Sequence, residues 1–117
     1  LLLYSNDNTE QEINKMGADF NSEMISDVNH EMTDKEIENE ADVIFEKAAY
    51  DYGHAGYSGS FAEKIGVGVD VHREKVFATE DEAYDFIQDS LANDKWGPAD
   101  VVPVENEGWL VGGWCSA

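Results

Sequence analysis

Cations are scarce in this chain: seven Lys and Arg stand against 26 Asp and Glu among 117 residues, a formal charge of −19. A field of that sign repels DNA, RNA and anionic lipid, which argues against direct nucleic-acid binding and against membrane docking. Cysteine is scarcer still. Cys115 stands alone, so there is no internal disulfide and no thiolate zinc cluster, and the expected setting is intracellular. No stretch approaches the roughly 18 apolar residues of a membrane span, and the opening LLLY is too short for the apolar core of a secretion signal. What is present suffices for a core, since 42% of the residues are apolar and a chain of this length can bury one domain unaided.

The carboxylates are unevenly placed. Residues 1–49 hold 13 acids and three bases, residues 50–79 hold four and three, and residues 80–117 hold nine and one. Two acidic flanks therefore enclose a near-neutral window. Such flanks draw basic surfaces at salt-dependent rates; the same charge also serves plain solubility.

In TEQEINKMGADFNSEMISDVNHE, Ile13, Met16, Phe20, Met24 and Val28 recur at steps of three or four. That spacing predicts an apolar helical stripe, weakened by Gly17 and several Asn, and defines an acidic N-terminal helical arm over residues 1–30. Thr33 followed by Glu36 is a capping-box pair, predicting a second helix with Ile37, Ala41, Ile44, Ala48 and Tyr52 on its buried side and Gly53 as its stop. Val67, Val69 and Val71 alternate with Gly66, Gly68 and Asp70, the pattern of a half-buried strand, and HREK reads as a turn into a second short strand with Val76 and Phe77. Thr79 with Glu82 opens a third helix that buries Ala83, Phe86, Ile87 and Leu91. The tail PADVVPVENEGWLVGGWCSA reads as two strands joined at ENEG, with Pro103 placing the first at an edge or bulge. The expected fold class is α+β: N-terminal helices followed by a small antiparallel sheet with one further packed helix, residues 31–117 forming a single domain.

The near-neutral window contains YDYGHAGYSGSFAEK, rich in Gly, Tyr and Ser. GYSGS misses the nucleophile-elbow pattern at Ser60, and a helix rather than a strand is expected before it. Ser58 or Ser60 with His54 as base lacks an orienting group and oxyanion donors, so no catalytic residue is assigned. The glycines lack the order of a dinucleotide loop, the three histidines lack paired ligand spacing, and the acidic clusters lack a calcium-loop order; no metal or cofactor is expected. Ser60 and Glu63 form a third capping pair, so a short helix should start at Phe61 with its amides toward the glycines. Two readings stand for this loop. It either receives a small anionic or nucleotide-like ligand through His54, Tyr57, Ser58, Ser60 and Lys64, or it is a shaped turn whose polar groups fix its own path. Trp96, Trp109 and Trp114 are read as packing residues in preference to an exposed platform.

The segments YGHAGYSGSFAEK, KWGPADVVPV and GWLVGGWCSA together resemble a group of small bacteriophage and prophage proteins that share a G-H-x-G-Y-[ST]-G-[ST] segment, a Trp-Gly-Pro and a Gly-Trp C-terminal strand. The resemblance spans roughly residues 45–117. It implies a viral origin and a host-cytoplasmic location, and it carries no mechanism. Three function classes follow. The first is an acidic interaction protein whose carboxylates Glu36, Glu38, Glu40, Asp42, Glu80, Asp81, Glu82, Asp85 and Asp89 occupy a basic surface of a host or defence protein in place of nucleic acid. The second is the small-ligand loop, and the third is a virion or assembly component that oligomerises through the N-terminal arm.

Overall fold

The computed structural model describes residues 17–53, 56–91 and 94–117. Its elements run β1 (Ala18–Ser26), α1 (Asp34–Tyr52), a one-turn 3₁₀ helix (Phe61–Lys64), β2 (Val69–Val71), α2 (Glu80–Ser90), β3 (Ala99–Val104) and β4 (Gly108–Ser116). The strands form one sheet in the order β1-β4-β3-β2. β4 runs antiparallel to both neighbours, while β2 is parallel to β3. The first three strands therefore share one direction, and each helix lies on a crossover between two of them.

This overturns the expected arrangement, although α-helix and β-sheet do combine. Among the described residues a strand comes first, only one α-helix precedes β2, and the sheet is mixed. Residues 18–26, expected within a helical arm, pair with β4 from Ala18↔Ser116 to Ser26↔Gly108. The reason lies in the spacing. Phe20 and Met24 are four apart, which puts them on one side of either a helix or a strand. In the strand they face α2, while Ile25 turns to the other side and is 5% exposed. Val28, the next residue of the supposed stripe, is in a turn and exposed. Ile13 and Met16 lie outside the described residues.

Two cores result, one on each face of the sheet. On one, Ile37, Ala41 and Phe45 of α1 pack with Ile25, Ala99, Val101, Trp109, Val111, Cys115 and Phe61. On the other, Ala83 and Ile87 of α2 pack with Phe77, Val102, Val104 and Leu110, with Phe20, Met24 and Phe86 completing the layer. Each large side chain so buried contributes about 1.5–3 kcal/mol. Gly112 makes room on the second face: a Cβ there would crowd Phe20 and Ile87 at 3.0 and 3.1 Å.

The helix starts follow the sequence. Thr33 Oγ1 accepts from the Glu36 amide at 3.1 Å while the Glu36 carboxylate accepts from the Thr33 amide at 2.8 Å, and Thr79 accepts from the Glu82 amide at 3.2 Å. Gly53, with φ 91°, closes α1. The buried row of α1 is Ile37, Ala41, Phe45 and Ala49, and Tyr52 is exposed. Val67 falls in the turn before β2, and Phe77 makes a single parallel bridge to Val104 in place of a second strand. Pro103 sits in an interior strand, contrary to the edge expectation. β2 ends before reaching it, and its carbonyl instead accepts from the Phe77 amide at 2.9 Å.

The β1–α1 connection is pinned to the hairpin by Asp27. Its carboxylate accepts from Trp109 Nε1 at 2.8 Å and from the Met32 and Glu31 amides at 2.9 and 3.1 Å. Trp109 is further edged by His30 and covered by the Arg73 guanidinium, 4.8 Å from its ring. The hydrogen bond from Trp109, reinforced by the two amides, holds the Asp27 carboxyl below the usual range despite some desolvation. Its stabilisation is thus complete above the unfolded carboxyl pKa and is lost as pH falls through the lower folded value. Urea titrations should show the stability gap between the parent and Asp27→Asn closing as pH drops from about 5 to 2. Asp27→Ala, which strands the buried Trp109 N–H, should cost about 1–3 kcal/mol near pH 7.

Candidate functional site

Of the five ligand-loop residues, His54 lies outside the described residues. The other four do not converge. Ser58 N–H and Oγ both donate to the Glu63 carboxylate, at 3.0 and 2.8 Å, and the Ser58 and Ser60 hydroxyls lie 2.8 Å apart. Ser60 is buried and caps the 3₁₀ turn by accepting from the Ala62 amide at 3.2 Å. Burial opposes ionisation of Glu63, yet the Ser58 and Tyr57 hydrogen bonds and the Lys64 charge together hold its carboxyl below the ordinary value. Tyr57, at φ 57°, is exposed and stands edge-on to Trp96, which is also exposed.

Lys64 was expected to reach an anion, but it is wholly buried. Its ammonium donates to three carbonyls of the turn before β3: Gly97 at 2.6 Å, Lys95 at 3.4 Å and Asp94 at 3.5 Å. Three acceptors for three N–H bonds explain why the cation is tolerated there. Burial lowers its pKa, partly offset by the negative fields of Asp94, Asp100 and Glu63. The buried Cys115 thiol beside it is pushed up to about 12, chiefly by desolvation, and is not a thiolate at neutral pH.

The loop is also tied to the sheet. Gly59 donates its amide to Ser116 O at 2.7 Å and accepts from Asn21 Nδ2 at 2.8 Å. Any Cβ at Gly59 would collide with the Asp19 carboxylate. Asp19 could swing aside, but Gly59 also holds φ 69°, where an L side chain is strained. Within the loop, the Ser58, Ser60, Glu63 and Lys64 side chains and the Gly59 backbone make hydrogen bonds that hold its path.

The nine carboxylates proposed for partner binding all reach solvent, Glu38 being half-buried. They do not form one surface. Glu36, Glu38, Glu40 and Asp42 belong to α1, while Glu80, Asp81, Glu82, Asp85 and Asp89 belong to α2 on the opposite face of the sheet. α2 has no Lys or Arg, and Glu82, Asp85 and Asp89 border a shallow groove with Phe86, Phe77 and Lys75. On α1, Lys35 and Lys47 pair with Glu38 and Asp51 at 3.1 and 3.0 Å across exposed surface. Pairs of that kind contribute little and exchange readily.

A feature the sequence reading missed is the flank of β2. Asp34, Lys35 and Glu38 of α1 face Val69–His72 across a groove of about 520 Å³, and Glu38 and Asp42 face Gly66–Gly68 across a continuation of about 270 Å³. Asp34, Glu38 and Asp42 follow one another at i+4, so one helix wall carries them; that interval was readable in the sequence. Behind the groove, Asp100, 3% exposed, receives His72 Nε2 at 2.9 Å. Among the described residues no three His, Cys, Asp or Glu gather as a metal site, and no helix is long and apolar enough to cross a membrane.

Because the folded state lowers the Lys64 pKa, the unfolded chain binds more protons between the folded value and about 10.4, and stability must rise with pH across that interval. Lys64→Met lacks this term. Thermal melts from pH 7 to 10.5 should show the parent gaining on Lys64→Met as pH rises; a parallel pair of curves would contradict the burial of the amine. Comparison of the chain with known protein families, with curated proteins and with solved structures finds no match.

Proposed function

We propose that this chain is an acidic interaction protein that occupies a basic protein surface, in the manner of a nucleic-acid mimic. The observation that supports it best is α2, an 11-residue helix whose five carboxylates are exposed and which has no basic residue of its own. Its apolar residues are committed to the sheet, so the outward side is free to be read as charge. A basic groove that ordinarily holds phosphates meets there a row of carboxylates on a rigid element, with the desolvation cost shared over several pairs. Because α1 and α2 lie on opposite faces, one partner surface engages one helix at a time. α2 has the purer charge and is the primary face in this reading. The phage-type resemblance makes a host or defence protein in the host cytoplasm the natural partner.

Binding by charge of this kind weakens as the Debye length shrinks from about 10 Å at 0.1 M salt to about 3 Å at 1 M. Immobilised protein should therefore retain a defined set of basic proteins from bacterial lysate at low salt and release them within that range. Reversing Glu82, Asp85 and Asp89 to Lys should abolish retention, while His54→Ala should leave it unchanged. Retention that survives the α2 reversal, or that persists in 1 M salt, would remove α2 from the role.

A further inference from the structure

The sheet has two outer strands, and they differ in what flanks them. The groove beside β1 contains Glu23, Lys47 and Asp51, with the lysine already held by Asp51, so it is close to neutral. The groove beside β2 contains Asp34, Glu38, Asp42 and Asp70, four carboxylates against two cations, Lys35 in the groove and Arg73 bonded to Asp34. Asp34 is held by Arg73 at 2.6 Å, and Lys35 bridges Glu38 at the surface.

Among the described residues β2 is also an open edge. The Ala99 amide donates to Gly68 O at 3.2 Å and the His72 amide donates to Val101 O at 2.8 Å, which fixes Gly68, Asp70 and His72 as the residues whose backbone turns toward β3. By the alternation of a strand, the N–H and C=O of Val69 and Val71 turn outward. Among the described residues no strand lies beyond them. The approach is unobstructed at its lower end, where a side chain built on Gly66 or Gly68 would meet nothing within 4 Å.

The spacing of the wall matches that of an incoming strand. Asp34, Glu38 and Asp42 recur every four helical residues, an interval of about 6 Å along the axis. Same-face side chains of an extended peptide recur every two residues, about 6.7 Å. The helix runs past β2 in the opposite sense, Asp34 and Glu38 lying by Val69–His72 and Asp42 by Gly66–Gly68. A strand added to β2 would therefore present alternate side chains to successive carboxylates.

We infer that the β2 edge takes up an extended segment of a partner protein bearing Lys or Arg at alternate positions, its backbone pairing with Val69 and Val71 and its cations lying along Asp34, Glu38 and Asp42. This rests on the reading of the chain as a binder of basic partners and specifies the form one such partner takes. A second copy of the chain does not fit the edge, because it would bring a further −19 to a wall that is already negative.

The test uses the full chain and fluorescent ten-residue peptides at low salt. One alternates Lys with Val, one has the same composition with the lysines in a block, and two repeat the alternating sequence with every second amide N-methylated, in either phase. The alternating peptide should bind at least tenfold tighter than the block peptide, and one N-methylated phase should lose at least tenfold. In NMR spectra the Val69 and Val71 amides should move downfield on binding, and Glu38→Gln with Asp42→Asn should weaken the complex at least fivefold. Equal binding of alternating and block peptides, or of both N-methylated phases and their parent, would overturn strand addition while leaving the charge-based reading intact. Absence of binding by every peptide would also overturn it, whereas the broader reading is decided separately by the salt-sensitive capture that depends on α2.

Discussion

The double burial of β4 is the constraint on which the rest of this protein depends. Eight of its nine residues are buried, Trp114 being the partial exception, and the strand is paired on both sides. A strand with apolar groups on both faces must be covered on both. α1 therefore goes to one face with Trp109, Val111 and Cys115, and α2 to the other with Leu110. Each helix has one apolar side to bury and one carboxylate-rich side left over. The negative charge is thus divided between two outer layers by the demands of the sheet, and no single footprint gathers all of it.

The same constraint explains the loop that looked most like a site. The ends of β1 and β4 have to be closed off, and residues 56–64 do this with Gly59 backbone bonds to the Ser116 carbonyl and the Asn21 side-chain amide, Ser58 turned onto Glu63, and a lysine driven inward onto three carbonyls. Gly, Ser, Tyr and Lys are the residue types of ligand loops and of tightly folded joints alike. Positive φ, short hydroxyl bonds and a cation serve either purpose; the structure adds that Lys64 is directed inward.

How far the sequence was legible differs from element to element. Both helices could be placed to within a residue or two because a capping pair is a local device: Thr33 with Glu36, and Thr79 with Glu82, act within one turn and need nothing from the rest of the chain. The hairpin was equally local, its strands meeting around Glu105, Asn106 and Glu107. The segment around Phe20 and Met24 was misread because four residues is a same-side interval in both periods. Nothing nearby distinguishes them; the partner strand lies some ninety residues away. The carboxylate row Asp34, Glu38 and Asp42 could be seen as an interval, but not as the wall of a groove, since β2 supplies the other side.

What the sequence determined by itself was the charge, its concentration in two flanks, the starts of the helices and the strand-turn-strand tail, because each rests on composition or on contacts within a few residues. Only the tertiary structure decided that residues 18–26 join the sheet, that α1 and α2 lie on opposite faces, that Lys64 points inward and that β2 is, among the described residues, the outer strand beside the α1 carboxylates. Those outcomes turn on long-range pairing. Backbone hydrogen bonds to a distant strand, and apolar area removed from water on two faces at once, outweigh the few tenths of a kcal/mol by which local preferences differ.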